Sequence, residues 1–225
     1  MKDNHIRVMT IRMSGERKHC EVPYFRGAVI AALNGAENML LHNHVGDDGY
    51  RYAYPKIQYK IIDERAALVC VEEGIDAVVP NIMRLIRSFQ IGNRELPMTI
   101  QGIESEEMDM DICEPTEYKI TRWLPLNGEN YATYKSTESL RERIILLERI
   151  LKGNILSMAK GIDMHIDHDV TVDITELSQP YTTWHKQMKL MAFDISFTTN
   201  IALPNHIGLG KNASLGCGVV ERRES

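Results

Sequence analysis

Two histidines, His42 and His44, stand one residue apart in the stretch LLHNHVGDDGYRYAYPKIQYK. On an extended backbone such residues point to the same side, whereas on a helix they diverge by about 200°. Imidazole titrates near neutral pH, so this pair can supply a base and an acid together. RNA transesterification needs both groups: a base takes the proton of a ribose 2′-OH, which attacks the adjacent phosphorus, and an acid protonates the leaving 5′-oxygen.

The histidine pair has two other interpretations. Most histidines in loops have no chemical role, and His-x-His is also a spacing found in metal sites. A second cluster, Asp163, His165, Asp167 and Asp169 beside His168, would share one face of a strand and could bind a metal, although such a face is more often simply exposed. From the residues alone, a pair without a role ranks first, acid–base catalysis second and metal binding third.

A glycine-dense segment, GLGKNASLGCG, runs from Gly208 to Gly218. Its first residues fit the dinucleotide fingerprint G-x-G-x-x-A, but that fingerprint belongs near the start of a βαβ unit, and this segment stands near the end of the sequence. Glycines allow backbone N–H groups to approach a phosphate closely, and Lys211 adds a positive charge. On composition alone, the segment is more typical of a tight turn before a short last strand.

The bulk composition excludes several function classes. The 225 residues carry a formal net charge of -5, so there is no global attraction to nucleic acid or anionic membrane, and a polyanion would need a local basic patch. No apolar run approaches bilayer length, and MKDNHIRV lacks a signal-peptide core. The four cysteines stand singly, as reduced thiols do in cytoplasmic proteins. We therefore predict a cytoplasmic protein.

The first half of the chain has the pattern of a ferredoxin-like domain. Alternating and helical periodicities give the order strand, helix, strand, strand, helix, strand, which is a split βαβ arrangement. The predicted elements are a strand over His5–Met13, a helix from Pro23 to Asn34, a hairpin of Ile57–Asp63 and Ala67–Glu73, a helix with Ile75, Val78, Ile82, Leu85 and Phe89 on one face, and a strand over Leu96–Ile103.

The acidic segment from Glu104 to Glu117 indicates a boundary or linker, so we divide the chain into domains 1–114 and 115–225. The second domain begins with a strand, YKITRWLPL, and continues with a long helix that Ser136 and Thr137 can cap. Two β-type runs follow, MHIDHDVTVDITEL and YTTWHKQMKLMAFDISFTTNIAL, which predict a hairpin. No second helix is evident between Ser196 and Gly208.

These features together resemble one family, the CRISPR repeat-cleaving endoribonucleases of the RAMP superfamily. The resemblance rests on the ferredoxin-like first half, the histidine pair after its first helix, YRYAYPKIQYK and GLGKNASLGCG, and it covers essentially the whole chain. It implies an α+β fold of two ferredoxin-like domains in tandem. This sequence departs from that pattern because its second domain has no clear second helix, so the second domain is expected to be incomplete or rearranged. It also implies metal-independent cleavage of precursor CRISPR RNA within its repeats, without a cofactor, leaving 2′,3′-cyclic phosphate and 5′-OH ends.

The resemblance also implies which residues act. The catalytic set is His42 and His44, with Tyr50 and Tyr52 assisting. The implied RNA-binding residues are Arg51, Lys56, Lys60, Gly208, Gly210, Lys211, Asn212, Ser214, Gly216 and Gly218. Further candidate cations are Arg26, Arg84, Arg87 and Arg122, and Trp123 is either a base-stacking ring or a core residue.

The implied partners are repeat RNA and other subunits of a CRISPR complex, with no membrane, and the protein is expected as a monomer or homodimer. Two alternatives stay open. One is a non-catalytic RNA-binding RAMP subunit, which would bind repeat RNA and never cut it. The other is a metal-dependent nuclease that uses the histidine pair or the Asp163–Asp169 cluster.

Overall fold

The computed structural model describes residues 4–33, 40, 54–91, 94–185 and 188–223. The chain divides into two compact units. The N-terminal unit comprises His5–Met108 together with Ser214–Gly216, and the C-terminal unit is built mainly from Asp109–Ala213 and the strand that follows Cys217.

The N-terminal unit contains a four-stranded sheet in the order β2 (Ile57–Ile62), β3 (Arg65–Val71), β1 (His5–Glu16) and β6 (Ile100–Asp109), which is the strand order of a ferredoxin-like domain. Strand β3 pairs antiparallel with a neighbour on each side. Its Leu68 lies opposite Ile11 of β1 and opposite Tyr59 of β2. The elements are β1 (His5–Glu16), α1 (Val22–Ala32), β2 (Ile57–Ile62), β3 (Arg65–Val71), α2 (Glu73–Val78), β4 (Arg87–Ile91), β5 (Arg94–Met98) and β6 (Ile100–Asp109).

Helix α1 buries one face against this sheet. Pro23 stands in its first turn, where the missing N–H costs nothing. Phe25 and Val29 lie one turn apart and enter the same apolar cluster as Ile11 of β1. The Phe25 ring meets the Tyr59 ring edge-on, with centroids 6.1 Å apart. The helix and the β2–β3 hairpin that the periodicity predicted are therefore confirmed by their packing.

The second predicted helix of this unit is shorter than its pattern indicates. After α2 the chain continues as a 3₁₀ helix, Val79–Leu85, and Phe89 lies in β4, which pairs with β5. Pro80 explains the change, because proline has no N–H to donate and its ring clashes within an α-helix. The strand predicted over Leu96–Ile103 is likewise divided into β5 and β6, on either side of Thr99.

The acidic segment is not a linker. It consists of the end of β6 and the start of β7 (Ile112–Trp123), and the two units divide between Met108 and Asp109. The boundary predicted between residues 114 and 115 falls inside β7 instead. The carboxylates misled the prediction because Glu104, Glu107 and Asp109 occupy exposed positions of β6, where strands carry charge without becoming linkers.

The C-terminal unit repeats the ferredoxin-like strand order, with a sheet in the order β11 (Val219–Arg222), β7, β10 (Met188–Ile201) and β8 (Val172–Leu177). Its sheet is complete, and residues 202–218 replace the second helix; the helical part of that stretch is the short 3₁₀ turn Ala213–Leu215. The tandem α+β fold is thus as predicted. The remaining elements are α3 (Gly128–Ser136), α4 (Leu140–Gly161), β8 (Val172–Leu177), β9 (Tyr181–His185), β10 (Met188–Ile201) and β11 (Val219–Arg222).

The long helix α4 supplies the core of this unit through Leu147, Leu151 and Ile155, which are fully buried. Its N-cap is Ser139, whose hydroxyl accepts the N–H of Glu142 at 3.4 Å. The predicted caps are therefore wrong: Ser136 closes a separate helix, α3, which the sequence pattern did not indicate. This preceding helix is mostly polar and exposed, so it leaves no apolar stripe to recognise.

No helix in the described part of the chain is long and apolar enough to cross a bilayer.

Candidate nucleic-acid interface

Five of the predicted site residues lie outside the described residues: His42, His44, Tyr50, Arg51 and Tyr52. Their roles therefore remain predictions. The residues on either side are described, and both belong to the N-terminal unit. Leu40 packs on the apolar cluster of that unit, and at the other end the carbonyl of Pro55 accepts the Gln58 amide at 3.0 Å.

Arg26, a predicted RNA cation, contacts a buried tyrosine. It lies on α1 and hydrogen-bonds the hydroxyl of Tyr59, which is 1% exposed. Burial raises the pKa of Tyr59 above its ordinary value, and Arg26 opposes this shift only in part. The phenol is therefore protonated at neutral pH and holds the guanidinium, so Arg26 is tied to the fold of the N-terminal unit.

Lys56 and Lys60 do not have the exposure that a phosphate contact needs. Every residue of β2 is buried, and Lys60 is 0% exposed. Lys56 forms an ion pair with Glu73 at 3.2 Å, with its side chain 9% exposed. An ammonium that reaches RNA must extend into solvent, so these two lysines leave the set of candidate RNA contacts. The resemblance implied both as RNA contacts, but Lys56 is largely buried and β2, which contains Lys60, is buried along its whole length.

The glycine-rich segment is a packed loop whose glycines allow close approach of backbone to backbone. A Cβ on Gly218 would stand 1.9 Å from the carbonyl oxygen of Leu209, and one on Gly208 would stand 2.8 Å from Ala213. Gly218 accepts the Leu209 N–H at 2.8 Å and donates to the Arg122 carbonyl at 3.1 Å. These glycines therefore have a structural role in closing the loop, which agrees with the prediction of a tight turn.

The tip of the loop, Ser214–Gly216, belongs to the N-terminal unit. Leu215 packs on the apolar cluster there, and Gly216 is buried beside Val22 and the backbone of Tyr59. Asn212, at the preceding bend, has a left-handed φ of 57°, which asparagine adopts more readily than most residues. Gly216 and Gly218 are thus inaccessible as direct phosphate contacts, whereas Asn212 and Ser214 are half-buried.

Lys211 is the exposed cation of this loop. Its ammonium donates to the carbonyl oxygen of Leu126 at 2.7 Å, and partial burial lowers its pKa below the ordinary lysine value. The carbonyl fixes one of its three N–H groups, and the other two remain able to bind an anion.

Lys211 also lines a pocket of about 380 Å³ in the C-terminal unit, which we call the α3 pocket because it opens at the start of that helix. Its lining comes from three separate stretches of sequence. The lining residues are Leu124, Leu126, Asn127, Gly128, Tyr131, Thr182, Lys189, Leu190, Met191 and Lys211. Sequence reasoning found only Lys211 among them, because no motif or spacing connects these stretches.

The aspartate and histidine cluster does not lie on a strand. Residues 164–171 precede β8 in an irregular conformation, so the side chains do not share one face. Asp169 pairs with Lys152 at 2.6 Å, and His168 lies 2.9 Å from Asp167. Within the described ranges, no group of three or more acidic, histidine or cysteine side chains is arranged to hold a metal ion.

The remaining candidates divide into exposed and structural residues. Arg84 and Arg87 are exposed on the N-terminal unit. Arg122 has a left-handed φ of 53° near the end of β7, and its guanidinium donates to the Thr183 hydroxyl of β9 at 3.2 Å. Trp123 is fully buried and donates to the amide oxygen of Asn154 at 3.0 Å, so it is a core residue.

Two sequence families match the chain, one for each unit. The Cas6b N-terminal domain matches residues 4–109, and the Cas6b C-terminal domain matches residues 112–223. A protein of Methanocaldococcus jannaschii, the uncharacterised protein MJ0978, is 36% identical over 109 residues, which is 48% of this chain and 73% of that protein.

Solved structures share the whole fold. A crystal structure of Cas6b is similar over 97% of this chain and 100% of its own, with a TM-score of 0.86 and 26% identity. A crystal structure described as the CRISPR RNA processing endoribonuclease Cas6b has the same coverage, with a TM-score of 0.71 and 23% identity. At this identity the similarity concerns the fold alone. With both domain families matched in order, the chain belongs to the Cas6b family, and the resemblance to CRISPR repeat-cleaving endoribonucleases is confirmed.

Proposed function

We propose that this protein is a metal-independent endoribonuclease that cleaves precursor CRISPR RNA within its repeats and so generates mature guide RNA. The observation that carries the proposal is the match to both Cas6b domains, in order, over residues 4–109 and 112–223. A chain with one domain alone, or with the domains separated, would not have supported a complete nuclease of this family.

The proposed reaction uses the RNA as its own nucleophile. One imidazole of the His42 and His44 pair takes the proton of the ribose 2′-OH, and the new bond forms between that oxygen and the adjacent phosphorus. The bond from phosphorus to the 5′-oxygen breaks, and the other imidazole delivers a proton to that oxygen. The products are a 2′,3′-cyclic phosphate and a 5′-OH. Tyr50 and Tyr52 assist by hydrogen bonding to the phosphate or the histidines.

RNA binding is proposed to depend on local cations, because the chain carries a net charge of -5. Lys211 and Arg51 are the proposed contacts, and Asn212 and Ser214 add hydrogen bonds. Each phosphate contact releases counterions, so binding should weaken steeply as salt rises.

The test is cleavage of the repeat RNA that accompanies the coding region, in excess EDTA. Each single substitution, His42→Ala or His44→Ala, should lower the cleavage rate by about 10²–10⁴-fold while RNA affinity persists. A substrate with 2′-deoxyribose at the cut site should not be cleaved. His165→Ala, at an exposed position of the C-terminal unit, is the matched control.

Three results would overturn the proposal. Cleavage in EDTA by a variant that carries both His42→Ala and His44→Ala would place the site elsewhere. Cleavage that needs a divalent ion would identify a metal-dependent nuclease. Tight binding by the unaltered protein with no cleavage of its repeat would identify a non-catalytic RNA-binding subunit.

A further inference from the structure

We propose that the α3 pocket binds a single unstacked nucleotide, with its base against the apolar wall and Tyr131 and with its phosphate at Lys189 and Lys211. The inference rests on the proposed function for the source of that nucleotide, which is the repeat RNA. The pocket itself is argued from its described lining residues and their charge, and all of those residues belong to the C-terminal unit.

The wall of the pocket is apolar and firmly supported. Leu124 and Leu126 are buried at 2% and 8% exposure, and Leu190 packs on the cluster that contains Leu124, Ala192 and Cys217. Its volume of about 380 Å³ lies within the range of small-ligand sites, about 300–1,000 Å³. A pocket of this size accommodates one nucleotide and excludes a base-paired duplex.

Tyr131 supplies an aromatic surface that the fold does not use. It lies on the second turn of α3 and is 45% exposed, whereas Tyr134 of the same helix is buried and packs on Phe193 at 5.5 Å. Proteins that recognise single-stranded RNA stack splayed bases on aromatic rings of this kind. The buried tyrosine holds the helix, and the exposed one is free to meet a base.

The charged side chains that line the pocket are positive, whereas the whole protein is negatively charged. Both charged side chains among its described lining residues are lysines, although the chain carries a net charge of -5. Lys189 is held in place by Trp184, its partner across the β9–β10 ladder, whose ring centroid lies 5.2 Å from the ammonium. Lys211 is fixed by the Leu126 carbonyl. Two pre-positioned cations at the mouth of an apolar cavity fit a base that carries a phosphate.

The first test uses the four nucleoside 5′-monophosphates as probes, with methyl NMR of the full chain. We expect shifts of the Leu126, Leu190 and Met191 methyl signals, and we expect them to be lost in Tyr131→Ala and weakened in Lys189→Ala. Tyr131→Phe should retain them, because the ring is kept. Lys135→Ala, on the same helix outside the pocket lining, is the control. Unchanged methyl signals at millimolar nucleotide, or equal shifts with inorganic phosphate alone, would overturn the assignment.

The second test uses the repeat RNA with one abasic nucleotide at each position in turn. At one position of the RNA, removal of the base should weaken RNA binding to the unaltered protein about 5- to 150-fold. The same removal should have little effect on RNA binding to the Tyr131→Ala variant. Equal losses in both proteins at every position would overturn the inference. If the unaltered protein neither binds nor cuts the repeat, the proposed function fails, and the mononucleotide test still decides the pocket.

Discussion

Replacing Gly218 by alanine should destabilise the C-terminal unit strongly, although the change adds only one methyl group. Gly218 has a φ of 64°, and its added Cβ would stand 1.9 Å from the Leu209 carbonyl oxygen. A backbone carbonyl cannot rotate away as a side chain can. The backbone must therefore move, and two hydrogen bonds are lost or lengthened: the one that Gly218 accepts from the Leu209 N–H and the one that it donates to the Arg122 carbonyl.

The magnitude follows from two costs. A left-handed conformation costs a residue with a Cβ about 1–2 kcal/mol. Each of the two hydrogen bonds contributes about 0.5–1.5 kcal/mol to stability. Together these give a loss of about 2–5 kcal/mol in the free energy of unfolding, which is a large share of the stability of a domain of this size.

Urea unfolding followed by tryptophan fluorescence measures this loss in the right unit. The protein has two tryptophans, Trp123 and Trp184, and both lie in the C-terminal unit. Trp123 is fully buried, so its emission shifts when this unit opens. The matched control is Gly153→Ala: Gly153 lies within α4 with nothing within 4 Å of the added Cβ, and the change should stabilise by about 0.5–1 kcal/mol.

A result in which both glycine variants change stability by the same small amount would refute the reasoning. It would mean that the loop is loose enough to accept a Cβ at residue 218. The role assigned to the glycines in closing the loop would then be wrong, and their presence would need a ligand to explain it.

Three other measurements test separate parts of the structure. Asn154→Ala should lower stability by about 1–3 kcal/mol, since it leaves the buried indole N–H of Trp123 without its acceptor; a loss below about 0.5 kcal/mol would contradict this. The pKa of Lys211 is lowered in the fold, so the unfolded chain binds more protons than the folded one between that lowered pKa and 10.5. The free energy of unfolding of the unaltered protein, minus that of Lys211→Met, should therefore rise as pH increases through this window. A difference that stays flat or falls would contradict this. Lys189→Ala should reduce the salt slope of single-stranded RNA binding by about 0.7 if it contacts one phosphate, whereas an unchanged slope would exclude that contact.

The strand order of the N-terminal unit could be predicted because its signals are local. The β2–β3 hairpin is joined by a two-residue turn, and its strands are rich in apolar and β-branched residues. The Phe25 and Val29 spacing marks the buried face of α1 in the same way. Where one residue overrides the periodicity, as Pro80 does after α2, the pattern extends too far and the predicted helix is wrong.

Exposure could not be predicted in the same way. Lys56 and Lys60 were implied as RNA contacts, yet both are buried, because the covering of β2 and of the residue before it depends on residues remote in sequence. The irregular run before β8 shows the converse. Alternating aspartates and histidines resemble a strand, but residues 164–171 have no partner strand in the described chain, and an unpaired segment does not form a sheet.

The sequence by itself predicted the α+β class and the first ferredoxin-like half, because periodicity is read within a few residues. Its resemblance to a family predicted the second half and the family, whereas the role of the histidine pair stays a prediction. The tertiary structure alone decided where the two units divide and which glycines close the loop. It also decided which cations face solvent, and that Tyr131, Lys189 and Lys211 line one pocket. These features depend on contacts between residues remote in sequence, such as Lys211 and Leu126, which are 85 positions apart, and no local pattern encodes them.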